Sequence, residues 1–215
     1  MEIAIYFDVI CPWCYIGKRR MDQLLLLPRY EEVTVTWQPY QLYPGIPPGG
    51  LLREDFLRRK NPGVTDIAEL RARVPDRIKS EADAEGLVFD FSSIEYMPNT
   101  KLAHRLVMGA EAYGLQFQLV EVLFRYYFME GYDIGNSNVL LRAGLEAGMT
   151  ARDSEYILLE GHPGVSLEER LENGVKIGIS GVPCIVTTSN FMLPGVQTLD
   201  VLQNFMSRVI ELSEK

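Results

Sequence analysis

Cysteine and histidine are scarce in this chain. Three cysteines in 215 residues cannot build the disulfide framework of a small secreted domain. A structural zinc site needs about four thiolate or imidazole ligands. Beyond Cys11 and Cys14, only Cys184, His104 and His162 could supply them, with no second CxxC and no HxxxH. Basic residues are also short. The 21 Lys and Arg against 29 Asp and Glu leave a formal charge of −8, which disfavours nucleic acid and anionic membrane surfaces as partners. No stretch approaches the roughly 18 uninterrupted apolar residues of a membrane span. The start, MEIAIYFDVI, has an acid at position 2 and no basic region ahead of its apolar run. It reads as a first strand rather than a secretory signal, and a cytoplasmic location is expected. Internal repeats and low-complexity segments are absent.

The rest has ordinary globular composition, with 47% hydrophobic and 23% charged residues, and is long enough for one core or a core with an inserted second unit. Residues 3–10, IAIYFDVI, read as a strand. Pro12 suits the first turn of a helix, which PWCYIGKRRMDQLLLL carries to about Leu27 before Pro28 stops it. EVTVTWQPY, 32–40, alternates like a second strand. YPGIPPGG, 43–50, is a Pro/Gly-rich connector and a candidate boundary. From there to about residue 160 the patterns are helical. DIAE at 66–69 has capping-box spacing, and Pro75 should break the helix that follows. In the segment after Asn99, residues Leu102, Ala103, Leu106, Ala110 and Tyr113 share one helical face. SLEE at 166–169 opens another helix, ISGVPCIVTT reads as a strand, NFMLPGVQ as a short partner, and TLDVLQNFMSRVIELSE as a closing amphipathic helix. The two ends therefore give βαβ and αββα, an α/β unit interrupted by a helical one.

The chemistry concentrates in CPWC, residues 11–14. Metal binding, inert burial and redox exchange are all open to such a pair, and its setting favours redox: it falls where a strand runs into a helix. Free N–H groups and the positive end of the helix dipole there favour a thiolate on Cys11. Cys14, one turn further on, is near enough to form a disulfide, whose Cα atoms stand about 4.4–6.8 Å apart.

In order along the chain, FDVICPWCYIGKRR, NTKLAHRL, FMEGYDIG, and GISGVPCIV followed by PGVQ resemble the DsbA-type thioredoxin family. Within it they are most similar to the FrnE-like cytosolic subgroup, related to 2-hydroxychromene-2-carboxylate isomerases and kappa-class glutathione transferases. The resemblance covers nearly the whole chain. It implies a thioredoxin-like α/β fold with a large all-helical insertion, and the changes of texture at YPGIPPGG and GHPGVS put residues 1–45 and 163–215 in the thioredoxin-like unit and 46–162 in the insertion. It implies a thiol–disulfide oxidoreductase with Cys11 attacking and Cys14 resolving, acting on a disulfide-containing protein or small molecule. It also implies a cis Val182–Pro183 bond facing the dithiol, where backbone before the proline would pair with substrate. No cofactor is implied beyond a thiol pool, with glutathione a candidate reductant or ligand. The isomerase and transferase relatives carry serine in place of the first cysteine, so a glutathione-dependent isomerase acting on a small aromatic molecule is the alternative.

Pro12 and Trp13 between the cysteines are expected at the substrate surface, with Trp13 exposed or packed on the insertion. By the same resemblance Asn99 and His104 are pocket candidates, although periodicity alone puts His104 opposite the apolar stripe, at a surface. Lys18, Arg19 and Arg20 read as a solvated helix face, Cys184 as a small buried hydrophobe, and His162 as loop. Many thioredoxin-fold enzymes hold a buried acid six residues before the first cysteine. Ile5 stands there, and Asp8 is the nearest acid, either a substitute or a solvated or capping residue.

Overall fold

The computed structural model describes residues 1–161 and 164–213. His162, and the expected unit boundary at 163, lie outside the described residues. Strand β1 (Glu2–Phe7) leads into helix α1 (Pro12–Leu25), and β2 (Thr34–Pro39) returns parallel to β1. The insertion then runs through β3 (Leu51–Leu52), α2 (Arg53–Lys60), α3 (Ile67–Ala72), α4 (Asp76–Ala84), β4 (Tyr96–Met97), α5 (Lys101–Ala110), α6 (Gln116–Phe128), α7 (Ser137–Glu146) and α8 (Ala151–Glu160). The chain closes with α9 (Leu167–Lys176), β5 (Cys184–Thr187), β6 (Met192–Pro194) and α10 (Leu199–Ser213). The main sheet has the order β2-β1-β5-β6, with β5 antiparallel to both β1 and β6.

Local chemistry explains most of these bounds. Pro12 stands at the start of α1 and Pro28 follows its end. Asp66 accepts from the Glu69 N–H at the start of α3, while Ser166 and Glu169 cap α9 reciprocally. Strand β5 begins only after Pro183, which has no N–H to offer a ladder.

One correction concerns the insertion, expected to be all helical. It carries a two-stranded antiparallel ladder, Leu51 opposite Met97 and Leu52 opposite Tyr96. Gly50, at φ +74°, turns the connector into this ladder. The main-chain N–H of Arg53 then donates to the Glu95 carbonyl at 2.7 Å, satisfying a donor that the start of α2 leaves free.

A single apolar core runs from the sheet into the insertion, joining Ile3, Phe7 and Trp37 to Leu106, Leu123 and Phe124. Helix α1 lies between the two. Tyr15 stacks on Phe124 at 4.9 Å, and its hydroxyl donates to Glu121 at 2.8 Å. The basic run after the dithiol is not the solvated face its composition suggested. Lys18 and Arg20 are buried. Lys18 Nζ reaches Asp22 at 2.8 Å and Glu121 at 3.0 Å, and Arg19 reaches Glu121 at 2.7 Å. Arg20 holds Glu81 and Glu85 of the α4 region at 2.5 and 2.6 Å and the Gln197 carbonyl at 3.0 Å. A helix packed between two layers keeps only a narrow open strip, at Arg19 and Gln23, so most of its charges become struts.

Candidate active site

Cys11 is the N-cap residue of α1, and its N–H donates back to the Asp8 carbonyl at 3.0 Å. Its sulfur lies 3.7 Å from the carbonyl oxygen of Val182, the residue before Pro183, and the Val182–Pro183 bond is cis. Cys14 sits one turn deeper. Burial pushes its thiol well above the usual range, and the hydrogen bond and charge of Cys11 push the same way. A backbone hydrogen bond from Asp8 opposes them. All three cysteines are free.

Both thiols are nearly inaccessible, Cys11 at 3% and Cys14 at 1% exposure, although the sequence places Cys11, at a helix N-terminus, at the surface. The two face different spaces. Cys11 lines a cleft of about 360 Å³, whereas Cys14 lines a water-sized void of about 20 Å³ shared with Ile5, Lys18, Trp37 and Pro183. Approach from the cleft meets Cys11 first.

The sequence candidates separate accordingly. Pro12, Trp13 and Val182 line the cleft with Cys11. Trp13 is half-buried, with the Arg77 guanidinium 5.4 Å from its ring centre, so it belongs to the cleft and to the contact with the insertion. Pro183 lies under α1 on the Cys14 side. Asn99 does not reach the dithiol. Its amide donates to the Ile46 carbonyl at 2.5 Å and its carbonyl accepts from the Lys101 N–H at 3.1 Å, tying the connector to the start of α5. His104 is not at a surface: it is 1% exposed, edge-on to Phe7 at 5.2 Å, with Nε2 3.3 Å from Asp8 Oδ1. Helix α5 packs on β2, α6, α7, α8 and α9, so the side opposite its apolar stripe also faces protein.

Asp8 is fully buried, which removes the solvated reading. Besides facing His104, its carboxylate accepts the Leu42 N–H at 2.7 Å. Its charge is felt at Cys14. Three residues before Cys11, it is a buried acid whose charge reaches the inner thiol, while Ile5 fills the usual position of such an acid. Cys184 is buried on β5 beside Tyr6, Ile179 and Val186, in a separate small cluster, and burial raises its thiol. It takes the hydrophobic role expected.

Several cleft residues carried no sequence signal. Tyr43 lines it, its hydroxyl raised by burial and then by the charges of Cys11 and Asp8. Arg53, Phe91 and Tyr127 come from three separate segments of the insertion. Only the fold converges them, and no local spacing could have marked them. Among the described residues, no group of three or more His, Cys, Asp or Glu is placed to hold a metal ion, and no helix is long and apolar enough to cross a membrane.

Relatives agree with this architecture. The uncharacterized protein YwbO of Bacillus subtilis (strain 168) is 22% identical over 208 residues, 96% of each chain. A probable DsbA oxidoreductase from Streptomyces coelicolor superposes with a TM-score of 0.80 at 23% identity, covering 97% of this chain and 89% of that one. The cytosolic disulfide reductase DsbM of Pseudomonas aeruginosa, solved with GSH, superposes at 0.64 and 16% identity, covering 98% and 100%. At such identities these structures establish shared fold. The model of the DSBA-like thioredoxin domain matches residues 2–207, nearly the whole chain, and the protein belongs to that family.

Proposed function

We propose that the protein is a thiol–disulfide oxidoreductase in which Cys11 attacks and Cys14 resolves. The observation that carries this reading is the asymmetry of the pair. Cys11 stands at the head of α1 on an open cleft, beside the carbonyl of Val182, while Cys14 is held protonated and enclosed behind it. Cys11 sulfur attacks a substrate disulfide, one thiolate leaves, and a mixed disulfide forms. Cys14 then gives up its proton, attacks the Cys11 sulfur and releases the second thiol. Asp8, fully buried, facing His104 and near enough for its charge to raise the Cys14 thiol, takes the Cys14 proton in this scheme. The Val182 backbone pairs with an extended substrate.

A cytosolic setting and glutathione as the thiol partner are part of this reading. They are supported by the fold shared with a cytosolic reductase solved with GSH. The cysteine at position 11 argues against the isomerase or transferase alternative, whose relatives place a serine there.

The test is a Cys14→Ser variant incubated with oxidised glutathione and analysed by mass spectrometry. A stable glutathione adduct on Cys11 is expected, with loss of activity in Cys11→Ser. Absence of that adduct overturns the assigned roles.

A further inference from the structure

The cleft that reaches Cys11 has aromatic and aliphatic walls: Trp13, Tyr43, Phe56, Phe91, Tyr127 and Phe128 line it together with Ile94 and Met97. Arg53 is the cation among the residues lining it, while Lys60 and Arg77 stand over the wall rings of Tyr43, Phe56 and Trp13. Arg53, from the start of α2, is 7% exposed, and its guanidinium lies 5.5 Å from the Phe91 ring centre. Its Nη1 donates to the carbonyls of Arg71 at 2.7 Å and Phe91 at 2.5 Å. A guanidinium has five N–H donors. Among the described residues both hydrogen bonds of the side chain run from Nη1 to carbonyls, and it forms no ion pair with a carboxylate. Buried charges are ordinarily paired. Burial lowers this guanidinium's ordinary value; the Tyr127 hydroxyl opposes that and Arg71 reinforces it. The two carbonyls fix the fork and leave its charge uncompensated, facing a space of about 360 Å³ that also holds Cys11. Volume, apolar lining and one convergent polar group are the ordinary attributes of a small-molecule site.

We propose that this cleft takes the half of a small disulfide that ends in an aromatic carboxylate, with the carboxylate on Arg53, the ring against the aromatic wall and the disulfide sulfur at Cys11. The proposal rests on the thiol chemistry assigned above. An Arg fork matches a carboxylate through paired N–H donors, and a flat ring fills the apolar remainder. In the reaction, Cys11 thiolate forms a bond to the bound aryl sulfur, the substrate S–S bond breaks, and the other aryl thiolate leaves. Cys14 then bonds to Cys11 sulfur and displaces the bound aryl thiolate. The substrate disulfide is reduced to two thiols, the protein dithiol is oxidised to a disulfide, and the protons of the two cysteines pass to solvent or to the released thiolates.

The experiment uses the full chain in a Cys14→Ser background, so that each reaction stops at Cys11. Second-order rates are measured with dithiobis(nitrobenzoic acid), with neutral dithiodipyridine and with oxidised glutathione, each divided by its rate with a free small thiol. The ratio of the nitrobenzoate rate to the dipyridine rate should fall about tenfold in Arg53→Gln, the scale of one lost charged hydrogen bond, and less in Arg53→Lys, which keeps charge without the fork. In the protein with Arg53 intact, free nitrobenzoate should protect Cys11 from iodoacetamide where nitrobenzamide does not; this holds the test if Arg53→Gln fails to fold. An unaltered ratio together with no protection by nitrobenzoate overturns the inference. A fall confined to glutathione overturns the aromatic assignment. If neither aromatic disulfide reacts at Cys11, the thiol chemistry itself fails, and the pocket reading falls with it.

Discussion

Asp8→Asn separates the two steps of the proposed exchange. Asp8 is fully buried and its carboxylate has two tasks: accepting the Leu42 N–H at 2.7 Å and facing His104 Nε2 at 3.3 Å. An asparagine keeps a carbonyl for Leu42, and its amide faces an imidazole nitrogen that accepts in the other tautomer. That tautomer carries its proton on Nδ1, which has no partner in the fold. The loss is a charge-assisted bond reduced to a neutral one together with one unpaired buried N–H, about 2–4 kcal/mol of stability. Asp8→Leu, by contrast, strands the Leu42 N–H and His104 Nε2, at about 1–3 kcal/mol each. The asparagine cannot take a proton from Cys14, whose thiol the fold holds well above its usual range. Attack by Cys11 should therefore survive, while resolution slows by about a hundredfold, the lower end for loss of a positioned base. Rapid quenching after mixing with oxidised glutathione, with mass spectrometry of the Cys11 adduct over time, reads the two steps separately. The variant should build up the mixed disulfide, and its decay should quicken as pH rises and Cys14 ionises unaided. A variant that stays folded by urea denaturation and resolves the adduct at the parent rate refutes the role given to Asp8.

Three further outcomes follow from the geometry. With iodoacetamide at neutral pH, peptide mapping should find Cys11 modified first, since it borders the cleft, and Cys14 and Cys184 only on unfolding; equal rates would contradict the enclosure. Arg20→Ala breaks a buried ion network and leaves Glu85 unpaired, so urea unfolding should show a loss of about 3 kcal/mol; a loss near zero would mean that the network does not tie α1 to α4. The reduced protein should lose stability as pH rises beyond about 8.5, the unperturbed thiol value, because the unfolded state then releases a Cys14 proton that the folded state still holds; Cys14→Ser should flatten that slope.

The parts of the molecule that were legible in sequence are those specified locally. The alternation in Thr34–Pro39, the prolines at 12 and 28 and the caps at Asp66 and Ser166 each act within a few residues, and each marks an element where it was expected. The dithiol was legible because strand, CxxC and helix are contiguous. What failed to show depends on packing between distant segments. His104 lies off the apolar stripe of α5, and periodicity sends such a residue to solvent; here a second layer covers that side and Asp8 supplies a polar partner. Lys18 and Arg20 erred for the same reason, since apart from Asp22, four positions from Lys18, their acids stand 61 to 103 positions away. Asn99 is polar and near the dithiol in the family pattern, yet its amide is spent on the connector.

These charge placements together determine what an incoming substrate meets. CPWCYIGKRR looks, as a string, like a dithiol with three cations to attract anions. In the fold those cations are neutralised: Lys18 and Arg19 on Glu121, and Arg20 on Glu81 and Glu85. An ion pair between neighbours contributes little field beyond its own dimensions, since opposite charges cancel with distance. The chain as a whole is acidic, at −8, and offers an approaching anion no general attraction. Arg53 differs because its partners are carbonyl dipoles rather than carboxylates. Its charge remains available, and burial among aromatic walls reduces the solvent that would screen it. The insertion thus places a cation beside the dithiol after the dithiol's own helix has used up its cations. Selection by charge at Cys11 is consequently a property of α2, whose Arg53 stands 42 positions from Cys11 in sequence.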